Sequence, residues 1–268
     1  MVYRSKTQLL TKRNKNICTL TINRPEKHNC LTSRLLQEMA MMVAELGSDP
    51  EIRVLIIRGA GNASFSAGYD ISAIPAITNH DPETPIYNIS PLEKALQSIR
   101  RFPYPVIAMV NGHAFGGGCE LAVACDIRIG RDGITMGMPP AKLGIVYPPA
   151  GFRRFLNVLG FAKTLEMFLT GRRYDSRTCL SMGLLNELVD TEVLKTATDH
   201  MAREISENAP MALKGTKQAL YKMAENPTLS GTEESELAAL FAQSLASEDL
   251  LEGRRAFMEK RKPNFKGR

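Results

Sequence analysis

The sequence predicts an α/β fold, a repeated β/α core followed by a helical C-terminal part. Three observations carry that expectation. Apolar, β-rich runs at residues 17–23, 54–57 and 106–110 alternate with segments of helical periodicity. Two of these runs lead directly into glycine turns, Phe65-Ser-Ala-Gly-Tyr-Asp-Ile71 and Asn111-Gly-His-Ala-Phe-Gly-Gly-Gly-Cys-Glu120. Beyond about residue 196 the strand signals fade and one helical pattern follows another. Residues 1–196 are therefore expected to form the core and residues 197–268 a helical unit.

The elements follow in order. Residues 17–23 alternate like a strand and end at Arg24-Pro25. Leu35, Met39, Met42, Val43 and Leu46 share one helical face; Thr32 or Ser33 could cap that helix, and Gly47 stops it. The methionines there read as core filling. Strand 54–57 enters the first glycine turn. Residues 72–91, with four prolines, read as a mobile excursion or an irregular helix. Helix 92–101 precedes strand 106–110 and the second turn, after which Leu121, Ala122, Ala124 and Cys125 turn helical. Strand 127–129 and helix 161–170 continue the alternation. Helices are then expected at 197–207, at 211–225 behind Pro210, at 231–246 behind a Ser230-x-x-Glu233 capping box, and at 248–260.

Composition sets the broad class. Of the 268 residues, 44% are hydrophobic and 23% charged, ordinary usage for a globular chain with a core of good size. No uninterrupted apolar stretch approaches the roughly 20 residues of a membrane span, so no membrane association is expected. The N-terminus reaches a strand pattern by Ile17 with no apolar h-region before it, so a secretory signal is not expected. Five cysteines (Cys18, Cys30, Cys119, Cys125, Cys179) lack C-x-x-C spacing, and four histidines lack metal-ligand spacing. No metal, no disulfide framework and a cytoplasmic, reducing compartment are therefore expected. His113, beside the second glycine run, reads as a hydrogen-bonded structural residue. The net charge of +6 is not gathered into one long basic run; a small polyanionic ligand accounts for it as well as a nucleic acid would.

A strand, a glycine turn and a helix start together aim free backbone N–H groups at negative charge. Glycine is used because the backbone must turn sharply and lie close to a ligand. Two such devices can supply one N–H each to a single oxygen, an oxyanion hole.

The pair of turns, in this order, resembles the crotonase (enoyl-CoA hydratase/isomerase) superfamily. So do Thr21-Ile-Asn-Arg-Pro-Glu-Lys-His-Asn-Cys-Leu31, Leu143-Gly-Ile-Val-Tyr-Pro148 and Phe257-Met-Glu-Lys-Arg-Lys-Pro-Asn-Phe265, so that the resemblance spans nearly the whole chain. It implies a repeated β-β-α spiral core that binds acyl-CoA. It also implies a C-terminal helical part that packs against neighbouring subunits in a homotrimer or a dimer of trimers. Coenzyme A enters as part of the substrate, with no separate cofactor. By the match, the oxyanion donors are the N–H groups of Tyr69 and Gly117. Ala67, Gly68, Asp70 and Ile71 of the first turn line the acyl-CoA site, and Lys260 reaches the CoA nucleotide.

Hydratases of the superfamily use two glutamates. Glu120 stands at the first; Pro140, in Gly137-Met-Pro-Pro-Ala-Lys-Leu-Gly144, stands where the second belongs. Proline moves no proton. Ser66-Ala-Gly-Tyr-Asp-Ile71, Gly144-Ile-Val-Tyr-Pro148, Gly183-Leu-Leu-Asn186 and Glu259-Lys-Arg-Lys-Pro-Asn-Phe265 resemble the methylmalonyl-CoA decarboxylase branch instead. Two departures from that branch are Tyr69, in place of a histidine, and Pro139, in place of a hydroxyl residue. The resemblance implies a lyase that stabilises the enolate left when CO2 departs, with Tyr147 orienting the leaving carboxylate. Each residue also has a structural reading: Glu120 as a helix-start acid, Tyr147 as packing, Asp70 as a brace of its turn, Lys260 as a solvated helix-end lysine. The alternative activity is hydration or isomerisation of an enoyl- or 3-hydroxyacyl-CoA. A non-catalytic acyl-CoA or RNA-binding relative is a further alternative, but the candidate helices mix acids with bases (Glu204, Glu207, Lys214, Lys217, Lys222, Glu225), so nucleic acid is not an expected partner.

Overall fold

Alternation of short strands and helices builds two sheets in the structure, a computed structural model that describes residues 8–70, 90–226 and 228–268. Ile71 and residues 72–89 of the expected excursion lie outside the described residues. One sheet has the order β1 (Leu9–Asn14), β2 (Ile17–Ile22), β3 (Val54–Gly59), β5 (Val106–Val110), β7 (Ile127–Arg131), β10 (Glu187–Val189). Only β1 runs antiparallel to its neighbour. The other has the order β4 (Ser64–Ser66), β6 (His113–Phe115), β8 (Thr135–Gly137), β9 (Tyr174–Asp175), with β9 antiparallel. Each repeat therefore gives one strand to each sheet and then a helix: β3, β4 and α2 (Pro91–Arg101); β5, β6 and α3 (Gly117–Ala124); β7, β8 and α4 (Pro149–Thr170). This is the repeated β-β-α core expected from the sequence.

The apolar periodicities explain where the core sits. β3 and β5 are apolar almost throughout because parallel strands are covered on both faces. On one side, Leu55, Ile57, Ala108 and Val110 meet Leu35, Leu36, Met39 and Val43 of α1 (Ser33–Gly47). On the other, Val54, Ile56, Ile107 and Met109 meet Leu194 and Ala202 of α6 (Leu194–Ser206). The helical pattern expected from residue 197 thus starts at Leu194, in a helix packed on the sheet. Thr32 caps α1, its hydroxyl accepting from Leu35 N–H at 3.2 Å. The capping box of Ser230 and Glu233 opens α8 (Gly231–Leu245). α5 (Ser176–Ser181), α7 (Pro210–Glu225) and α9 (Glu248–Met258) complete the chain.

Among the elements that differ from the expectation are β1 and α4. β1 was not foreseen because five of its six side chains are exposed, which erases the apolar alternation. α4 begins twelve residues before 161 and is interrupted at Gly160, whose φ of 71° and ψ of 176° are non-helical. Only the stretch beyond that break had an apolar period clear enough to read. Among the described residues no helix is long and apolar enough to cross a membrane.

Candidate active site

The first turn is held from below by two buried polar residues. Asn29, at φ 55°, donates to the carbonyls of Ala60 (3.0 Å) and Ser64 (2.8 Å), tying the 3-10 turn Pro25–Lys27 to the end of β3. Ser66 donates to the Asn29 carbonyl at 2.8 Å and accepts from Gly68 N–H at 3.2 Å. Gly68 needs its missing side chain twice over. Its φ is +98°, and a Cβ there would stand 2.5 Å from the Phe115 carbonyl oxygen. Ala67 N–H donates to His28 and Asp70 N–H to Leu31, so the turn is strapped along both edges.

The second turn leaves the same end of the same sheet, because β4 and β6 are parallel neighbours. Gly118, in the first turn of α3, lies so close to Ser66 that a Cβ would come within 2.3 Å of its carbonyl oxygen. This contact brings the two turns together. A Cβ on Gly117 would stand 3.4 Å from the Tyr69 nitrogen, and one on Gly68 would stand 3.2 Å from the Gly117 nitrogen. Among the described residues neither Tyr69 N–H nor Gly117 N–H has an acceptor. Two unclaimed donors side by side at a helix start are suited to a developing oxyanion. The Tyr69 hydroxyl is held away from them, 2.5 Å from Ser33 Oγ.

Glu120, on the first turn of α3, is buried with both oxygens engaged. Tyr147 donates its hydroxyl to Oε2 at 2.5 Å, and Arg154 Nη1 donates to Oε1 at 2.8 Å. Arg154, on α4, is itself buried and pairs through Nη2 with Glu93 of α2 at 2.5 Å. Burial pushes the Glu120 carboxyl above the usual glutamate range; the Arg154 charge and the Tyr147 hydroxyl oppose that shift without cancelling it. Burial also raises the Tyr147 phenol well above its ordinary value, and the Glu120 charge adds to the effect. The Tyr147 ring is packed against Phe152 and Phe168. The residue thus has an apolar seat and a polar function at once. With Pro140, buried in the 3-10 turn Pro140–Leu143, it lines an apolar cavity of about 440 Å³.

The sequence named Tyr69, Gly117, Glu120 and Tyr147 as candidates, and the structure brings Tyr69 beside Gly117 and Tyr147 onto Glu120. Arg154 and Glu93 were missed. No local signal marks them, because Arg154 lies 34 residues from Glu120 and 61 from Glu93. Lys260 is exposed just beyond α9, where its backbone N–H donates locally to the Phe257 carbonyl at 3.3 Å. His113 accepts at Nδ1 from Thr135 N–H at 3.0 Å, a structural bond between β6 and β8. Among the described residues no group of three His, Cys, Asp or Glu side chains could hold a metal.

The comparisons with known proteins point one way. Residues 12–268 match the family model for enoyl-CoA hydratase/isomerase. A carnitinyl-CoA dehydratase of Citrobacter koseri is 37% identical, over 94% of this chain and 95% of its own. The methylmalonyl-CoA decarboxylase of Escherichia coli K12 is 32% identical over the same shares. The crystal structure of an enoyl-CoA hydratase/carnithine racemase from Magnetospirillum magneticum superposes with a TM-score of 0.89 at 31% identity, covering 98% of this chain and 97% of that one. With the β-β-α repeat, the paired N–H donors and these likenesses together, the chain belongs to the enoyl-CoA hydratase/isomerase family, the crotonases.

Proposed function

We propose that this acyl-CoA-processing enzyme is a lyase that decarboxylates a malonyl- or methylmalonyl-type CoA thioester. The observation that carries the reading is Glu120: both of its oxygens are already claimed, and Pro140 stands where the family's second carboxylate belongs. Decarboxylation asks for no acid/base pair to break the bond. The C–C bond to the carboxylate breaks, its electron pair passes through the α-carbon into the thioester carbonyl, and CO2 leaves. The Tyr69 and Gly117 N–H groups stabilise the enolate oxygen, and the α-carbon then takes a proton. Differential binding of that enolate is the source of the rate. Ala67, Gly68, Asp70 and Ile71 seat the thioester in this reading, and Lys260 meets the nucleotide.

A second reading, hydration, dehydration or isomerisation of an acyl-CoA, draws support from two facts. The Glu120 carboxyl is raised by burial, which suits a proton carrier, and relatives named as dehydratase or hydratase stand close in identity. The test is a panel of malonyl-, methylmalonyl-, ethylmalonyl-, crotonyl- and 3-hydroxyacyl-CoA with products followed by mass. Loss of CO2 from a malonyl-type thioester, with crotonyl-CoA nearly inert, is the expected result. Fast hydration of crotonyl-CoA would transfer the assignment to the second reading.

The wider reading keeps residues 1–196 as the acyl-CoA core and 197–268 as the oligomerising part of a homotrimer or dimer of trimers. Exposed apolar side chains on α7, α8 and α9 support it, among them Leu220, Phe241, Leu251 and Phe257. Five free cysteines are consistent with a reducing cytoplasm.

A further inference from the structure

We infer that Arg154 is a positioning residue for the chemical step: anchored on Glu93, it holds Glu120, and through Glu120 it fixes the phenol of Tyr147. The inference rests on the decarboxylase reading, in which Tyr147 orients the leaving carboxylate. Three helices meet at this guanidinium. Arg154 stands on α4; its Nη1 donates to Glu120 Oε1 of α3 at 2.8 Å, and its Nη2 to Glu93 Oε1 of α2 at 2.5 Å. Glu93 lies in the first turn of α2, where the helix dipole favours a carboxylate, and its Oε1 also accepts from Gln97 Nε2 at 2.9 Å. The anchor is thus held by its own helix. Because the two carboxylates come from different elements, neither can turn away without leaving the buried guanidinium short of a partner.

The start of α4 presses on the same pair of side chains. A Cβ on Gly151, in the first turn of that helix, would stand 2.4 Å from a Tyr147 ring carbon and 2.9 Å from Glu120 Oε1. The helix backbone therefore lies directly against both, while Phe152 and Phe168 pack on the Tyr147 ring. Glu120 is left with one oxygen on Arg154 and the other on the Tyr147 hydroxyl. Weakening the guanidinium's hold loosens the first oxygen, and with it the angle at which the second receives the phenol. Small displacements of a group at the reacting centre are costly in rate. A tether that only joins α2, α3 and α4 would act on turnover independently of Tyr147. A positioning residue acts through it, and this difference can be measured.

The test is steady-state kinetics on whichever thioester of the substrate panel turns over fastest. Wild type is compared with Arg154→Lys, Glu93→Gln, Tyr147→Phe, and each of the first two combined with Tyr147→Phe. Lysine cannot span both carboxylates, so Arg154→Lys should lower kcat about tenfold, the order expected for one charge-assisted hydrogen bond, with KM within about twofold of wild type. Glu93→Gln keeps the size and an acceptor for Arg154, so it supplies a folded variant even if Arg154→Lys does not fold; its kcat should fall by about threefold or more. In the presence of Tyr147→Phe either substitution should cost less than about twofold, because what it positions is already gone. Three outcomes overturn the inference: wild-type kcat in the folded single variants, wild-type kcat in Tyr147→Phe, or losses that simply multiply in the double variants. A wrong reaction class would show instead in the mass of the products, whatever the coupling between these residues.

Discussion

Glu120 has exchanged water for two donors, Tyr147 and Arg154, and its chemistry follows from that exchange. Its carboxyl is raised chiefly by burial. A raised carboxyl binds its proton more tightly in the folded state than in the unfolded one. Its contribution to stability is therefore full below the unfolded pKa and is lost as pH rises through the folded one. The Tyr147 hydroxyl favours the charged form, so Tyr147→Phe should raise the Glu120 carboxyl further and carry that loss of stability to higher pH. Thermal melting across pH checks this: the Tyr147→Phe profile should be displaced upward relative to wild type, while Glu120→Gln removes the step. Superimposable wild-type and Tyr147→Phe profiles would return Tyr147 to packing alone. At this scale Tyr69, Gly117 and Glu120 could be named because the two glycine turns match the family's motifs, and Tyr147 because Gly144-Ile-Val-Tyr-Pro148 does. Arg154 could not, because its carboxylate partners are 34 and 61 residues distant in sequence and nothing local marks the pairing.

At the scale of elements, the strand–turn–helix unit is what places a donor. Gly117 is the first residue of α3, a position where proline is well accommodated because the N–H has no helical partner. A Cβ there would press on the flexible end of Leu92 at 3.3 Å, which must give slightly, and would stand 3.4 Å from the Tyr69 nitrogen. Gly117→Pro thus removes one oxyanion donor with little change to the helix. Turnover on the true substrate should fall by about 10²–10³, the usual cost of one such donor. A folded variant, judged by an unchanged melting transition, with full kcat would take this N–H out of the mechanism. Elements with strong local signals, the capped helices α1 and α8 and the apolar strands β3 and β5, could be read in advance. The second sheet could not. Its strands are two or three residues long, shorter than a period-2 pattern needs, and exist because their neighbours pair with them.

At the scale of the molecule, two apolar surfaces lack cover among the described residues. On α4, Phe161 is 73% exposed, with Leu165 and Leu169 on the same side of the break at Gly160. On the C-terminal helices, Phe241, Leu245 and Leu251 are exposed, and Phe257 is 86% exposed. Single exposed apolar residues need no explanation, but neighbouring ones on successive helices mark surfaces that associate. The last turns of the chain are not free to wander: Asp249 accepts from the N–H groups of Lys266 and Gly267, and Arg53 donates to the Phe265 carbonyl. The apolar faces of α8 and α9 are therefore presented from a fixed base, as a closed symmetric assembly requires. Sedimentation of the purified chain at micromolar concentration should give three or six times the monomer mass. Phe241→Glu with Leu251→Glu places charges on that face and should shift the distribution to smaller species, while far-UV dichroism stays that of the wild type. A wild-type chain that sediments as a monomer would sink the trimeric reading and leave these surfaces to another partner.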